Sequence, residues 1–171
     1  MCGLTIKNRN ELGNVFWLQP ELMEQCMFEL DNRLKTDCVE IGQFSLCKVL
    51  LMKDANYPWV ILVPMRHDIS EVFELDELEQ EQFIWESSHV ARAMKRLFHA
   101  DKMNIAALGN VVPQLHIHHV ARMTDDPAWP NPVWGAVATR GYTREKLGRL
   151  VVELQDAFAT SVFIPTEGGL A

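Results

Sequence analysis

Apolar residues recur every three or four positions in three stretches of the chain, the spacing of one face of an α-helix. The first stretch is Leu22, Cys26, Leu30 and Leu34, with Met23 and Met27 beside them. Pro20 suits the first turn of a helix there. A stripe of this kind reads first as core packing and only second as a binding groove. The second stretch follows Asp76, a good N-cap, with Glu79 in the capping-box place. Phe83, Ser87, Val90, Met94 and Leu97 then predict a long amphipathic helix reaching about Phe98. In the third, Thr143 caps a helix lined by Leu147, Leu150, Val151, Leu154 and Phe158.

Between these lie five strand-like segments. Cys38 to Ile41 and Leu46 to Met52 flank a turn holding Gly42 and Ser45. Trp59 to Val63 is apolar on both faces, as expected of an interior strand, and Pro64 ends it. Lys102 to Leu108 is closed by Gly109 and Asn110, and Gln114 to Arg122 is the fifth. Residues 53–58 are rich in turn formers. Pro127, Pro130 and Pro132 mark a loop that also holds Trp129 and Trp134. Residues 1–18 lack periodicity. The expected organisation is an N-terminal arm with part of the first helix over 1–26, then one domain over 27–171. Its class is α+β: a five-stranded antiparallel sheet with a long helix and flanking terminal helices.

The chain has 171 residues and a net charge of −7. That charge argues against a nucleic-acid or acidic-membrane surface, which needs clustered Lys and Arg. An anionic substrate would have to be held locally, by backbone N–H groups, neutral polar side chains and imidazoles. The longest apolar runs are too short to cross a bilayer. Cys2, Cys26, Cys38 and Cys47 form no C-x-x-C pair, so they read as reduced thiols of a cytoplasmic protein.

The chemistry concentrates in Gln114-Leu115-His116-Ile117-His118-His119-Val120. Strand alternation turns Gln114, His116 and His118 one way and Leu115, Ile117 and His119 the other. Leu115 and Ile117 suit a core, and His119 on their face reads as a structural histidine. The opposite face then carries an amide and two imidazoles in a row. An unprotonated imidazole is a nucleophile at neutral pH, and phosphorus is a suitable target. Two His at i and i+2 could also be half of a metal site. That needs further ligands, and His67, His89 and His99 lie elsewhere, in a loop and on a helix. No metal and no cofactor are therefore expected.

The segment resembles the signature of the histidine triad superfamily, His-apolar-His-apolar-His followed by two apolar residues. Val60 to Val63, Pro64, Arg66 and His67 resemble the strand that ends in Pro and basic residues in that family. Asn104 with Gly109-Asn110, and Arg122 after the triad, also fit. The resemblance runs over about Phe28 to Arg122. The Trp129-Pro130 and Val133-Trp134-Gly135 loop resembles that of a bacterial branch of diadenosine polyphosphate hydrolases. The resemblance implies attack by His116 on a nucleotide α-phosphorus, with His118 orienting the active ring. It implies ribose contact by Asp54, phosphate contacts by Asn104 and Asn110, and a homodimer paired through the long helix and fourth strand. The substrate it implies is a nucleotide or dinucleoside polyphosphate, cleaved at a phosphoanhydride or phosphoramidate bond.

Three positions depart from the pattern. Gln114 stands in the first triad place; an amide hydrogen-bonds but carries no proton. Val111 replaces a hydroxyl that helps the leaving group depart. Trp59 stands where many members have a base-contacting His. The related galactose-1-phosphate uridylyltransferases carry Gln at the third place instead, which ranks hydrolysis above nucleotidyl transfer. A nucleotide-binding module with little turnover is the remaining alternative.

Overall fold

The structure, a computed structural model, describes residues 28–167. The expected arm and most of the first expected helix lie outside the described residues. Where that helix should continue, Phe28 to Asp31 are not helical. Asp31 instead caps a short helix, α1 (Asn32–Asp37), its carboxylate accepting the Arg33 N–H at 2.7 Å. A stripe at helical spacing therefore did not secure one continuous helix. Among the described residues helix begins only at the strong Asp31 cap, and Leu34 is the single buried residue of α1.

A hairpin follows, β1 (Cys38–Gln43) and β2 (Cys47–Met52), then β3 (Trp59–Pro64), buried at every position. The long helix α2 (Glu77–Leu97) starts on the full Asp76/Glu79 capping box. It leads to β4 (Lys102–Ala106) and β5 (Ile117–Arg122). Helix α3 (Arg144–Phe158), capped by Thr143, comes last before β6 (Ile164–Pro165). All pairings are antiparallel and the order is β4-β5-β3-β2-β1-β6.

The sheet thus has six strands where five were expected. The sixth depends on a tertiary detail. Strand β1 shifts register between Glu40 and Gly42, and a Cβ on Gly42 would lie 2.5 Å from Phe163 Cζ and 2.7 Å from Ile164 O. Only glycine lets the C-terminal segment approach so closely.

Two apolar layers sandwich the sheet. Helices α2 and α3 cover one face, with Val90, Met94, Leu154 and Phe158 packed on Val49, Leu51, Val60, Leu62 and Ile117. The other face is covered by α1 and by the loop after β5, with Leu34, Ala128 and Val133 packed on Leu50, Ile61, Val63 and Val120. Buried Glu86 staples α2 to the hairpin turn, accepting the N–H groups of Leu46 at 2.9 Å and Cys47 at 3.0 Å. No helix among the described residues is long and apolar enough to cross a membrane.

Candidate active site

Strand β5 begins at Ile117, not at Gln114. Pro113 cannot donate to a ladder, and the Leu115 N–H bonds the Ile69 carbonyl at 2.8 Å, away from β3 and β4. The expected single row of Gln114, His116 and His118 is therefore broken at its first member. Gln114 turns to the chain before α1: its Nε2 donates to the Glu29 carbonyl at 2.9 Å, and its Oε1 accepts the Asp31 N–H at 2.9 Å. It lines two clefts whose walls include neither His116 nor His118.

His116 and His118 do share a cavity of about 280 Å³ with α1, the glycine turn and Trp134. Their rings are 5.0 Å apart, edge to face. The cavity's aliphatic wall comes from Leu34, Met52, Ile61 and Val112, and its rim includes Arg33, Asp37 and Asn110. The Nδ1 of His116 lies 2.7 Å from the Gln114 carbonyl oxygen. A carbonyl only accepts, so Nδ1 carries the proton of the neutral ring and Nε2 keeps its lone pair. His116 also borders a small cleft of about 20 Å³ with Ser70 and Glu71.

His118 sits in an aromatic box. Its ring is 5.4 Å from Trp59 and 5.4 Å from Trp134, and the Trp59 indole N–H points at its Nδ1 at 3.0 Å. Burial, reinforced by His116 and His119 alongside, pushes its pKa down to about 3, so it is neutral at pH 7. His119 faces the helical layer, fully buried, with Nε2 2.8 Å from Ser87 Oγ and Nδ1 3.2 Å from the Ile117 carbonyl. Burial lowers its pKa to about 4. Cys38 also lines the cavity, and burial raises its thiol to about 12, so it offers no thiolate there.

The other expected contacts divide. Asn110 lines the cavity. Asn104 lines neither the cavity nor the adjoining clefts; its Oδ1 accepts from Arg122 Nη1 at 2.7 Å. Asp54 is buried outside the cavity, accepting the N–H groups of Asn56 at 3.0 Å and Arg140 at 3.2 Å. Asp54 thus braces the loops around residues 56 and 140, whereas Asn104 ties β4 to the end of β5. Arg122 anchors the loop that carries Trp134 by a buried bidentate pair with Asp126, at 2.6 and 3.0 Å. Among the described residues no three His, Cys, Asp or Glu side chains converge to hold a metal ion.

Sequence reasoning missed the α1 wall and the roles of Trp59 and Trp134. Strand alternation does hold a clue to the first tryptophan. Ile61 pairs with His118 and Trp59 with Val120, so residue 59 shares the face of residue 118, but only once the register is known. Nothing local marks Trp134.

The HIT domain family profile matches residues 33–125. Three solved structures of histidine triad proteins are similar over most of the chain. The one from Bradyrhizobium japonicum is 47% identical with a TM-score of 0.76, covering 78% of this chain and 99% of that one. The one from Marinobacter aquaeolei VT8 is 48% identical with a TM-score of 0.75, over 77% and 96%. That from Sinorhizobium meliloti 1021 is 44% identical with a TM-score of 0.74, over 76% and 96%. A search of curated proteins gave no match.

Proposed function

This chain belongs to the HIT domain family, the histidine triad proteins, and from that premise we propose that it hydrolyses dinucleoside polyphosphates through a nucleotidyl-histidine at His116. HIT domain proteins are in general nucleotide-binding hydrolases or transferases. The observation that carries the finer reading is the 2.7 Å bond from His116 Nδ1 to the Gln114 carbonyl, which leaves an Nε2 lone pair at the wall of the cavity. In the first step Nε2 forms a bond to the α-phosphorus as the bridging oxygen departs with its electron pair. In the second, water adds to phosphorus, the N–P bond breaks, and a nucleoside monophosphate leaves His116 free.

The substrate class follows from the departures. Val111 is exposed and brings no proton to the cavity rim, and Gln114 carries none either. A leaving group that departs as a stable phosphate anion needs no acid. An amine does. This favours phosphoanhydrides over phosphoramidates. The aliphatic wall suits a nucleobase, and the Asn110 amide at the rim suits the phosphates. We assign His118 a supporting place beside the nucleophile. Gln114, expected in the triad's first place, holds the α1 segment; Asp54 braces loops, and Asn104 holds Arg122. Strand β4 is an edge of the sheet with half-exposed Ile105, which supports pairing of two copies there. The buried free thiols of Cys38 and Cys47 support a reducing, cytoplasmic setting.

Diadenosine tetraphosphate tests this directly. Adenosine monophosphate should form, with an acid-labile, base-stable adenylyl adduct on the peptide containing His116. Tight binding without any monophosphate or adduct would instead support the binding-module reading that Val111 and Gln114 suggest. Transfer of the adenylyl group to an added acceptor faster than to water would support a transferase.

A further inference from the structure

The two cavity histidines are held by partners of opposite character. His116 Nδ1 faces a carbonyl, which only accepts. His118 Nδ1 faces the Trp59 indole N–H at 3.0 Å, and an indole nitrogen only donates. The neutral His118 ring must then accept at Nδ1 and carry its proton on Nε2. That Nε2 has no hydrogen-bond partner among the described residues, yet it is not sealed in. The one fully buried side-chain polar atom without a partner among them is the Tyr57 hydroxyl. Since His118 lines the cavity, its Nε2–H is open to a ligand there.

We propose that Trp59 is a positioning residue that fixes the proton of His118 on Nε2, so that the site presents a lone pair from His116 beside an N–H donor from His118. The donor is aimed at an oxygen of the phosphate that His116 attacks. It gives a hydrogen bond and no proton moves. Charge grows on the non-bridging oxygens as the N–P bond forms, so a fixed neutral donor favours the transition state. Were the proton on Nδ1 instead, two N–H groups would face each other across 3.0 Å, and the cavity would meet a second lone pair that repels a phosphate. Trp134 stacks edge-on against both rings, 5.6 Å from Trp59 and 5.4 Å from His118. It can hold the imidazole plane but supplies no bond to Nδ1. Among the described residues the proton's place therefore rests on Trp59. Position 59, where the resemblance implies a base-contacting His, here carries a donor that sets a tautomer.

The kinetic half of this proposal rests on the hydrolase reading, whereas the tautomer half does not. Side-chain ¹⁵N NMR on the full chain without substrate reads the tautomer. Wild-type His118 should show a protonated Nε2 and a bare Nδ1, with His116 the reverse. In Trp59→Phe, His118 should shift to a mixture or to Nδ1–H, while Trp134→Phe should leave it on Nε2. If Trp59→Phe does not fold, 3-benzothienylalanine at position 59 keeps the shape and replaces the N–H by sulfur. In single turnovers of diadenosine tetraphosphate, Trp59→Phe should slow adenylylation about 10- to 100-fold with little change in KM. His118 bearing its proton on Nδ1 in the wild type, or keeping it on Nε2 in both Trp59 replacements, overturns the proposal. An altered tautomer without any turnover in the wild type would sink the hydrolase reading and leave the lock standing.

Discussion

At the scale of single residues, the site separates by hydrogen-bond partner what the sequence places side by side. His116, His118 and His119 are all buried or nearly so, but only the first has an Nδ1–H held by a backbone carbonyl and a bare Nε2 on the cavity. His116→Ala should lower diadenosine tetraphosphate turnover at least about 10³-fold while the native fold is retained, measured by product chromatography and circular dichroism. His119→Ala should do the reverse in kind, costing stability by orphaning Ser87 and opening a void. Full activity in the first variant and none in the second would place the nucleophile on the wrong face. Val111 yields a separate test of leaving-group chemistry. Val111→Ser, at the same exposed rim position, should raise hydrolysis of adenosine phosphoramidate relative to the tetraphosphate by about tenfold or more. An unchanged ratio would show that no acid is needed there.

At the scale of elements, two side chains hold the walls of the site. Glu86 joins the middle of α2 to the β1–β2 turn through the buried N–H groups of Leu46 and Cys47. Glu86→Ala leaves both donors buried and unpaired, a loss of roughly 2–5 kcal/mol, read as a drop in the urea midpoint at unchanged slope. Gln114 ties the segment before α1 to the segment before β5, through one donor and one acceptor. Since α1 brings Arg33, Leu34 and Asp37 to the cavity, Gln114→Ala should cost about 1–3 kcal/mol and also weaken nucleotide binding. A binding constant equal to wild type, by isothermal titration calorimetry, would mean that α1 keeps its place without the clasp.

At the scale of the whole molecule, the buried imidazoles link folding to pH. In the native chain His118 and His119 stay neutral down to about 3 and about 4, whereas in the unfolded chain they take protons near 6.5. The unfolded state therefore binds more protons between these limits, and stability rises with pH there. Their contribution is complete above about pH 6.5 and drains away as pH falls through the window toward 4 and then 3. The slope should approach about 2.7 kcal/mol per pH unit where both rings are protonated in the unfolded chain and neutral in the native one. Urea unfolding at about pH 7, 6 and 5 reads it, and a flat profile over that range would show the rings to be protonated in the native state. The Arg122–Asp126 pair adds a second loss at lower pH. Burial pushes the Asp126 carboxyl up, but hydrogen bonds from Arg122 and the Ala128 N–H together outweigh it and hold the group below its ordinary range.

By itself the sequence determined what depends on neighbours in the chain. The Asp76 and Thr143 caps and the 3.6-residue periods located α2 and α3. The apolar run at Trp59 to Val63 marked the central strand, and strand alternation set His119 on the opposite face from His118. These are rules of one to four residues' range. Tertiary structure decided the rest. Leu115 bonds Ile69 and so delays β5, which turns Gln114 from the histidine row to the clasp on α1. Trp59 and Trp134 reach His118 from positions 59 and 16 residues away, and the sixth strand exists because Gly42 admits Ile164. The physical reason is that a proton's position and a buried ring's pKa are set by which groups exclude water and which face them with a donor or an acceptor. Those partners are chosen by packing across the sheet, which local spacing does not encode.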